Sequence, residues 1–213
     1  MKKTLLLVSL LSLAVLTVGG ARAQSRFSSS AGLGLVPTRA NGPGEGNPVG
    51  YAGIAPGYVL ETSAVNYLLV QASLGFDAPL LRWGRGEQSL GVSLNAAFGV
   101  LAAPPSEAAD SNGAPLLDLP QYVTYRYGAR ASRDSEKAWG VGVGAGYRFS
   151  RFALPFNSPS VMLEGVYGGK SNDYFLRLSA DLVPQRFYNR YSSEGLVEVL
   201  RYQELNLQLG RSF

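Results

Sequence analysis

The sequence predicts an all-β protein that folds as an antiparallel up-and-down transmembrane β-barrel. Three observations favour this fold class. Apolar residues alternate with glycine or polar residues along much of the chain, and turn residues recur between these runs. Beyond the N-terminal segment, no apolar stretch is long enough for a membrane helix. Because a backbone crosses a bilayer only as helices or as a closed barrel, a membrane-spanning form of this chain must be a barrel.

Residues 1–23 have the pattern of a secretory signal peptide. Two lysines precede an apolar run over residues 4–18, and small residues follow it at Ala21 and Ala23. The run is shorter than the roughly 20 residues of a membrane-spanning helix. We therefore predict export of the chain and cleavage before Gln24.

The composition narrows the possible functions. The chain has no histidine and no cysteine, which removes Ser-His-Asp triads, thiolate metal sites and disulfide scaffolds. Loss of the signal peptide takes Lys2, Lys3 and Arg22 from 19 basic residues and none of the 15 acidic ones, leaving 16 against 15. The mature chain is near neutral, so we expect no nucleic-acid partner, and we also expect no enzymatic activity, metal or cofactor.

Eight alternating segments are predicted to be strands. The segments 88–101 and 138–150 most clearly have apolar residues on one face and small or polar residues on the other. Most of the eight reach the roughly 9 to 11 residues that a tilted membrane-spanning strand needs. The segments are 49–60, 67–81, 88–101, 117–131, 138–150, 160–168, 173–185 and 196–213.

The strand count has an alternative, because residues 28–36 also alternate. Single-chain bacterial barrels have even strand numbers. In one arrangement residues 24–48 form an extra strand and a Gly/Pro-rich loop outside the wall, and residues 49–213 form an eight-stranded barrel. In the other arrangement the segment 28–36 pairs in the wall, and a further strand within a long loop brings the number of wall strands to ten. We favour eight strands.

The connections alternate between short and long. Outer-membrane barrels have short periplasmic turns and longer outer loops. The predicted periplasmic turns are 83–87, 132–137 and 169–172, and the predicted outer loops are 61–66, 102–116, 151–159 and 186–195. We expect the outer loops 102–116 and 186–195 to contact any partner.

Glycine recurs at every second position from Gly140 to Gly146. This spacing is not that of a phosphate-binding loop, and no helical pattern follows it. We predict that these glycines face the barrel interior, where they leave room for other side chains and allow the wall to bend.

Charged residues recur on the faces predicted to point inward. Isolated charges inside a narrow barrel carry a heavy desolvation cost, so they are expected to pair across strands. An eight-stranded lumen is about wide enough for its own side chains, which favours a filled interior over a conducting path. The predicted network consists of Arg126, Arg148, Arg177, Glu164, Asp181 and Glu204.

The chain ends on an alternating strand that closes with Phe213. Together with the strand 117–128 and the glycine-rich run that ends at Phe149, this strand resembles those of the small OmpA-like outer-membrane β-barrel families. The resemblance implies a place in the outer membrane of a Gram-negative cell envelope, surrounded by its lipid. It also implies an insertion signal for the barrel-assembly machinery, formed by Leu205, Leu207, Leu209 and Phe213. Arg211 departs from the apolar pattern.

The leading functional hypothesis is a non-catalytic outer-membrane barrel with a polar, side-chain-filled interior. Its role would be structural, or would depend on contacts between its outer loops and an unknown partner. The alternatives are a narrow channel or small-ligand transporter, and a secreted soluble lipocalin-like barrel with its apolar faces inward. The side of the wall that carries the apolar residues distinguishes the membrane barrel from the soluble one.

Overall fold

The computed structural model describes residues 25–43, 60–102, 114–132, 134–152, 156–169, 172–191 and 195–213. The described residues form ten strands, and a short 3-10 turn at Gly84–Gly86 follows the second. None of these residues belongs to a helix with the length and hydropathy needed to cross a membrane. The strands are β1 Arg26–Pro43, β2 Leu60–Trp83, β3 Gln88–Ala102, β4 Ala114–Gly128, β5 Trp139–Phe152, β6 Phe156–Gly168, β7 Asp173–Asp181, β8 Gln185–Tyr191, β9 Gly195–Tyr202 and β10 Leu205–Ser212.

Eight of these strands form a closed barrel. Strands β1 to β7 pair in sequence order, and β10 pairs with β7 on one side and with β1 on the other. All of the pairings are antiparallel. The predicted fold class, an antiparallel barrel with eight strands in its wall, is confirmed.

Strand β1 corrects the favoured assignment of the N-terminal part. The segment 28–36 lies in the wall, paired with both β2 and β10, so the barrel begins at Arg26 and not at residue 49. The reason is that this segment closes the wall beside β10, and its alternation supplies the apolar outer face that the position requires. Residues 1–24 and 49–59, which include the predicted signal peptide and most of the first predicted strand, lie outside the described residues.

Two predicted outer loops prove to be largely strand. Residues 61–66 belong to β2 and pair with β1 as far as Leu60, and most of the segment 151–159 belongs to β5 and β6. The paired strands extend together in these regions, so ladder hydrogen bonds continue into the segments predicted as loops. Residues 103–113, the centre of the predicted outer loop 102–116, lie outside the described residues.

The wall carries its apolar side chains on the outside. Along β3, Leu94 and Phe98 are exposed, whereas Ser93 and Asn95, on either side of Leu94, are buried. The same alternation covers β2, β5, β7 and β10. An apolar outer surface around a polar interior is the arrangement of a membrane barrel, so the soluble lipocalin-like alternative is wrong.

Exposed aromatic side chains form a girdle around one end of the barrel. Trp83 stacks on Tyr125 with ring centroids 6.2 Å apart, and Trp139 packs against Tyr167 at 4.8 Å. Aromatic girdles mark the interfaces of transmembrane barrels, where an apolar ring meets a polar layer. The girdle comprises Trp83, Tyr125, Tyr127, Trp139, Tyr167 and Tyr174.

The start of the first described strand and the C-terminal residue Phe213 lie at this girdle, and we call it the terminal end. The backbone N–H of Phe213 donates to the carbonyl of Phe27 at 3.0 Å. The connections 84–87, 129–138 and 169–172 lie at the same end. Short turns of outer-membrane barrels face the periplasm. In such a barrel the terminal end would be the periplasmic one, and we call the opposite end the outer end.

At the outer end, β8 and β9 form a hairpin beyond the barrel wall. The chain breaks its strand pairing at 182–184, after β7, and at 203–204, before β10. Strand β9 pairs with β1 only at Thr38, Arg39 and Ala40. The predicted loop 186–195 is therefore part of a strand hairpin, and the predicted strands 173–185 and 196–213 are each divided in two.

The surroundings of two glycines on neighbouring strands predict different effects of an added methyl group on stability. A Cβ at the inward-facing Gly146 of β5 would overlap the carbonyl oxygen of Gln121 on β4, whereas a Cβ at Gly165 of β6 has nothing within 4 Å. We expect Gly146→Ala to lower the free energy of unfolding by about 1 to 3 kcal/mol, because the backbones of β4 and β5 must move apart. The matched control Gly165→Ala should change it by less than about 0.5 kcal/mol. Urea unfolding in lipid vesicles, followed by tryptophan fluorescence, measures both; equal stability of the two variants would contradict this account.

Candidate functional site in the barrel interior

Charged side chains fill the interior in two clusters, which together contain nine buried residues. The terminal cluster lies nearer the terminal end and the outer cluster nearer the β8–β9 hairpin. The terminal cluster consists of Asp77, Arg126, Arg130, Glu164 and Arg177. The outer cluster consists of Asp118, Arg148, Asp181 and Glu204.

Glu164 is the centre of the terminal cluster and is completely buried. Its Oε1 accepts from Arg126 Nε at 3.0 Å, and its Oε2 accepts from Arg177 Nη2 at 2.7 Å. Arg130 Nη1 also donates to Oε2, at 3.3 Å. One carboxylate therefore binds three guanidinium groups, from β4, from the turn after it and from β7.

Asp77 completes the terminal cluster from the opposite side. Its Oδ1 accepts from Arg126 Nη2 at 2.8 Å, and its Oδ2 accepts from Arg130 Nη2 at 2.5 Å. The ring of Phe175 lies against two of the cations, 4.1 Å from the guanidinium carbon of Arg130 and 5.0 Å from that of Arg177. Two carboxylates and an aromatic face thus stabilise three buried cations.

Local structure explains how the terminal cluster assembles. The register places Arg126 beside Gly142, Gly142 beside Glu164, and Glu164 beside Arg177. A Cβ at Gly142 would lie 3.2 Å from Arg126 Cγ and 3.4 Å from Glu164 Cβ. The missing side chain of this glycine therefore gives Arg126 room to reach Glu164 across an intervening strand. Arg130 follows β4 with a φ of 67°, so its contribution depends on the turn and not on strand alternation.

In the outer cluster one arginine faces three carboxyl groups. Arg148 Nη2 lies 2.6 Å from Asp181 Oδ2, Nη1 lies 3.3 Å from Asp118 Oδ2, and Nη1 also pairs with Glu204. Among the described residues, no group of three or more acidic side chains is arranged to hold a metal ion. Here the guanidinium of Arg148 occupies the position between the carboxyl groups.

The outer cluster also joins the barrel to the hairpin. The backbone N–H of Glu204 donates to Asp181 Oδ2 at 3.0 Å, and the N–H of Asp181 donates to the carbonyl of Glu204 at 3.0 Å. Asp181 ends β7 and Glu204 immediately precedes β10. Arg148 therefore binds both strands at the level where the β8–β9 hairpin departs from the wall.

Apolar side chains cover the two clusters at both ends. Ala129, Val166 and Phe175 pack together at the terminal end, and Leu69, Tyr202 and their neighbours pack together at the outer end. A cavity of about 10 Å³ lies between the clusters, lined by residues that include Tyr122, Arg148 and Arg177. This volume holds about one water molecule. The described interior is therefore layered and closely packed.

The six interior residues predicted from the sequence fall into two groups of three. Arg126 and Arg177 contact Glu164, whereas Arg148 contacts Asp181 and Glu204. The structure adds Asp77, Asp118 and Arg130, which are not among the six predicted residues. The partners of Asp77 and Asp118 depend on strand register, and that of Arg130 depends on the turn after β4; a single sequence specifies neither.

The predicted insertion-signal residues Leu205, Leu207, Leu209 and Phe213 are all exposed on the outer surface of the wall. Arg211 lies on the same face. The alternation of the last strand therefore continues to the chain end, with one cation on the lipid-facing side.

A closed wall with an apolar exterior, an aromatic girdle and a charge-filled interior defines a transmembrane β-barrel of the outer-membrane type. No protein-family model and no curated protein matches the chain. Solved structures with a similar arrangement include the deltaS2 mutant of the TodX monoaromatic hydrocarbon channel, with 11% identity and a TM-score of 0.36. That match covers 72% of this chain and 39% of the channel mutant, so the chain spans about two fifths of its length.

Two further solved structures are similar over most of both chains. The toluene transporter TodX of P. putida has 9% identity and a TM-score of 0.26, and the match covers 93% of this chain and 91% of the transporter. Ail, the attachment invasion locus protein of Yersinia pestis, has 10% identity and a TM-score of 0.18, with 87% and 98% covered.

Proposed function

We propose that this protein is a non-catalytic, non-conducting barrel of the outer membrane, with a role in envelope structure or in contacts made by its outer end. The observation that carries the proposal is the filled interior: two ion-paired clusters under apolar caps, with room for about one water molecule between them. A conducting path needs a continuous polar lumen. Moving the buried arginines to open such a path would separate them from their carboxylate partners, which is costly in a low-dielectric interior.

The purified barrel in planar lipid bilayers is expected to give no steady discrete openings. The reason is that Glu164, Asp77 and their arginine partners block the interior at one level and Arg148 blocks it at another. Heat-modifiable gel migration of the same preparation serves as the control for correct folding. Reproducible single-channel steps from folded, heat-modifiable protein would overturn the proposal and favour a narrow channel or transporter.

The β8–β9 hairpin is the proposed contact element of the outer end. Its backbone register places Arg201 beside Arg186 on one side and beside Arg39 of β1 on the other. Three arginine positions in one row of the backbone register concentrate positive charge at this end, which favours a partner with acidic or phosphate groups. Residues 103–113, at the centre of the other loop predicted to contact a partner, lie outside the described residues.

Shortening the hairpin is expected to leave the barrel folded. Replacing residues 187–200 by an Asn-Gly turn keeps Arg186 and Arg201 as neighbours and removes no residue of the two charge clusters. Heat-modifiable migration and the urea midpoint should match those of the full-length protein. A barrel that no longer folds after this deletion would show that the hairpin is part of the core structure and would contradict its assignment as a separate contact element.

Export and assembly complete the proposal. Residues 1–23 would act as the cleavable signal peptide, and the barrel-assembly machinery would recognise the last strand. The outward orientation of Leu205, Leu207 and Leu209 supports this, because an assembly factor that reads the strand needs side chains on its accessible face.

A further inference from the structure

The lipid-facing wall has a groove in its terminal half, centred on Gly165 of β6. The register places Gly165 between Val141 of β5 and Leu176 of β7. Both neighbours are large and exposed, whereas nothing lies within 4 Å of the position where a Cβ of Gly165 would be. The resulting groove has a volume of about 690 Å³. This volume is within the range of known ligand pockets, roughly 300 to 1,000 Å³.

The groove ends on a row of girdle residues at the membrane interface. Trp139 is the register neighbour of Tyr167, Tyr167 of Tyr174, and Tyr174 of Arg211. All four side chains are exposed on the lipid-facing side. A ligand in the groove would thus have an apolar channel along its length and hydroxyl, indole and guanidinium donors at one end.

Arg211 is the charged member of this row. Among the described residues it forms no ion pair, in contrast to the arginines of the interior. An arginine on the lipid face near an interface costs only about 0 to 1 kcal/mol. Its planar guanidinium binds phosphate oxygens in a bidentate manner. Its position next to the groove therefore places a phosphate-binding group at the end of an apolar trough.

We propose that the groove and Arg211 form a binding site for one anionic glycerophospholipid of the periplasmic leaflet. An acyl chain lies over Gly165, and the headgroup phosphate binds Arg211 beside Tyr174. Two observations select this occupant. The groove is almost wholly apolar and opens onto the membrane, where acyl chains surround it. The free cation complements a lipid phosphate and lies at the end of the barrel that faces the periplasm.

This site goes beyond the proposed function and rests on it only for the placement of the barrel in the outer membrane. It requires the membrane-facing wall and does not require the interior to be closed or the hairpin to bind a partner. A conducting barrel could have the same lipid site, and a closed barrel could lack it.

The two tryptophans of the chain allow a direct test. Trp139 lines the groove, whereas Trp83 lies elsewhere in the girdle and stacks on Tyr125. Trp83→Phe leaves Trp139 as the single reporter, and Trp139→Phe leaves Trp83. Each variant is reconstituted in phosphatidylcholine vesicles with a rising share of phosphatidylglycerol brominated on its acyl chains, and quenching of tryptophan fluorescence is recorded.

For each tryptophan, the quantity measured is the share of brominated lipid at which quenching reaches half of its maximum. We expect this share to be about fivefold lower for Trp139 than for Trp83, because Trp83 reports the bulk lipid. In the Trp83→Phe background, Arg211→Gln should remove this difference, and Gly165→Leu should do the same by filling the groove. Ala72→Leu is the matched control: it enlarges an exposed side chain on β2, across the barrel from β6, and should leave the fivefold difference unchanged.

Heat-modifiable migration establishes that each variant is folded before quenching is measured. Equal half-saturation for Trp139 and Trp83 would overturn the proposal, as would a preference that survives both Arg211→Gln and Gly165→Leu. A Trp139 that no brominated lipid quenches would also overturn it, because that result indicates a groove covered by a second copy of the chain.

Discussion

Glu164→Gln is expected to lower the free energy of unfolding of the barrel by about 3 to 5 kcal/mol. Glu164 is completely buried and binds Arg126, Arg130 and Arg177. The amide that replaces it has nearly the same shape but no charge. Asp77 would then be the carboxylate left for three buried guanidinium groups, and the small cavity beside Arg177 has room for only about one water molecule to solvate them. The loss comes from uncompensated charge and not from a cavity.

The effect is measured by urea unfolding in lipid vesicles, with Glu87→Gln as the matched control. Glu87 makes a single pair with Lys137 at 3.5 Å, and its side chain is 36% exposed. An exposed pair of this kind contributes less than about 1 kcal/mol. If the two glutamine variants had the same stability, the terminal cluster would not be a stabilising centre of the barrel.

Arg148→Met is expected to produce a loss of similar size, about 3 to 5 kcal/mol, for the opposite reason. Methionine retains much of the side-chain volume but removes the cation that contacts Asp118, Asp181 and Glu204. Three buried carboxyl groups are left without a counter-ion. Because Asp181 and Glu204 lie where the hairpin leaves the wall, amide hydrogen exchange should increase most at the junction of β7 and β10.

A second substitution separates charge from packing at this site. Adding Glu204→Gln to Arg148→Met removes one of the three unbalanced carboxyl groups and should restore part of the lost stability, so the two changes are expected to couple favourably in a double-mutant cycle. Arg82→Met is the matched arginine control, since its pair with Asp134 is 3.1 Å long and the two side chains are 31% and 60% exposed; it should cost less than about 1 kcal/mol. A double variant that is less stable than Arg148→Met would contradict the electrostatic explanation.

The two clusters have different structural consequences. The terminal cluster depends on Gly142, which leaves space for Arg126, and on the turn that directs Arg130 inward. The outer cluster depends on two strand ends that meet at Asp181 and Glu204. A substitution that breaks the terminal cluster is expected to destabilise the whole wall. A substitution that breaks the outer cluster should first destabilise the base of the β8–β9 hairpin.

The sequence by itself determined which side of each strand faces lipid. Period-two alternation identified the outward leucines of β10 and the inward charges such as Arg126 and Glu164, because successive side chains of a strand point to opposite faces. It also identified the inward glycines of β5. The direction in which these side chains point is a local property, which follows from the sequence of one strand without its neighbours.

Only the tertiary structure decided the membership of the wall and the partners of the charges. Closure required β1 beside β10, which joins residues at opposite ends of the chain, and no local pattern distinguishes a wall strand from an external one. Asp77 meets Arg126 across 49 positions of sequence, a pairing set by the register of three strands. If one strand were shifted by two residues relative to its neighbour, the same side chains would still face lipid, because alternation repeats every two residues. The shift would nevertheless separate the charged partners, because each ion pair depends on one particular register.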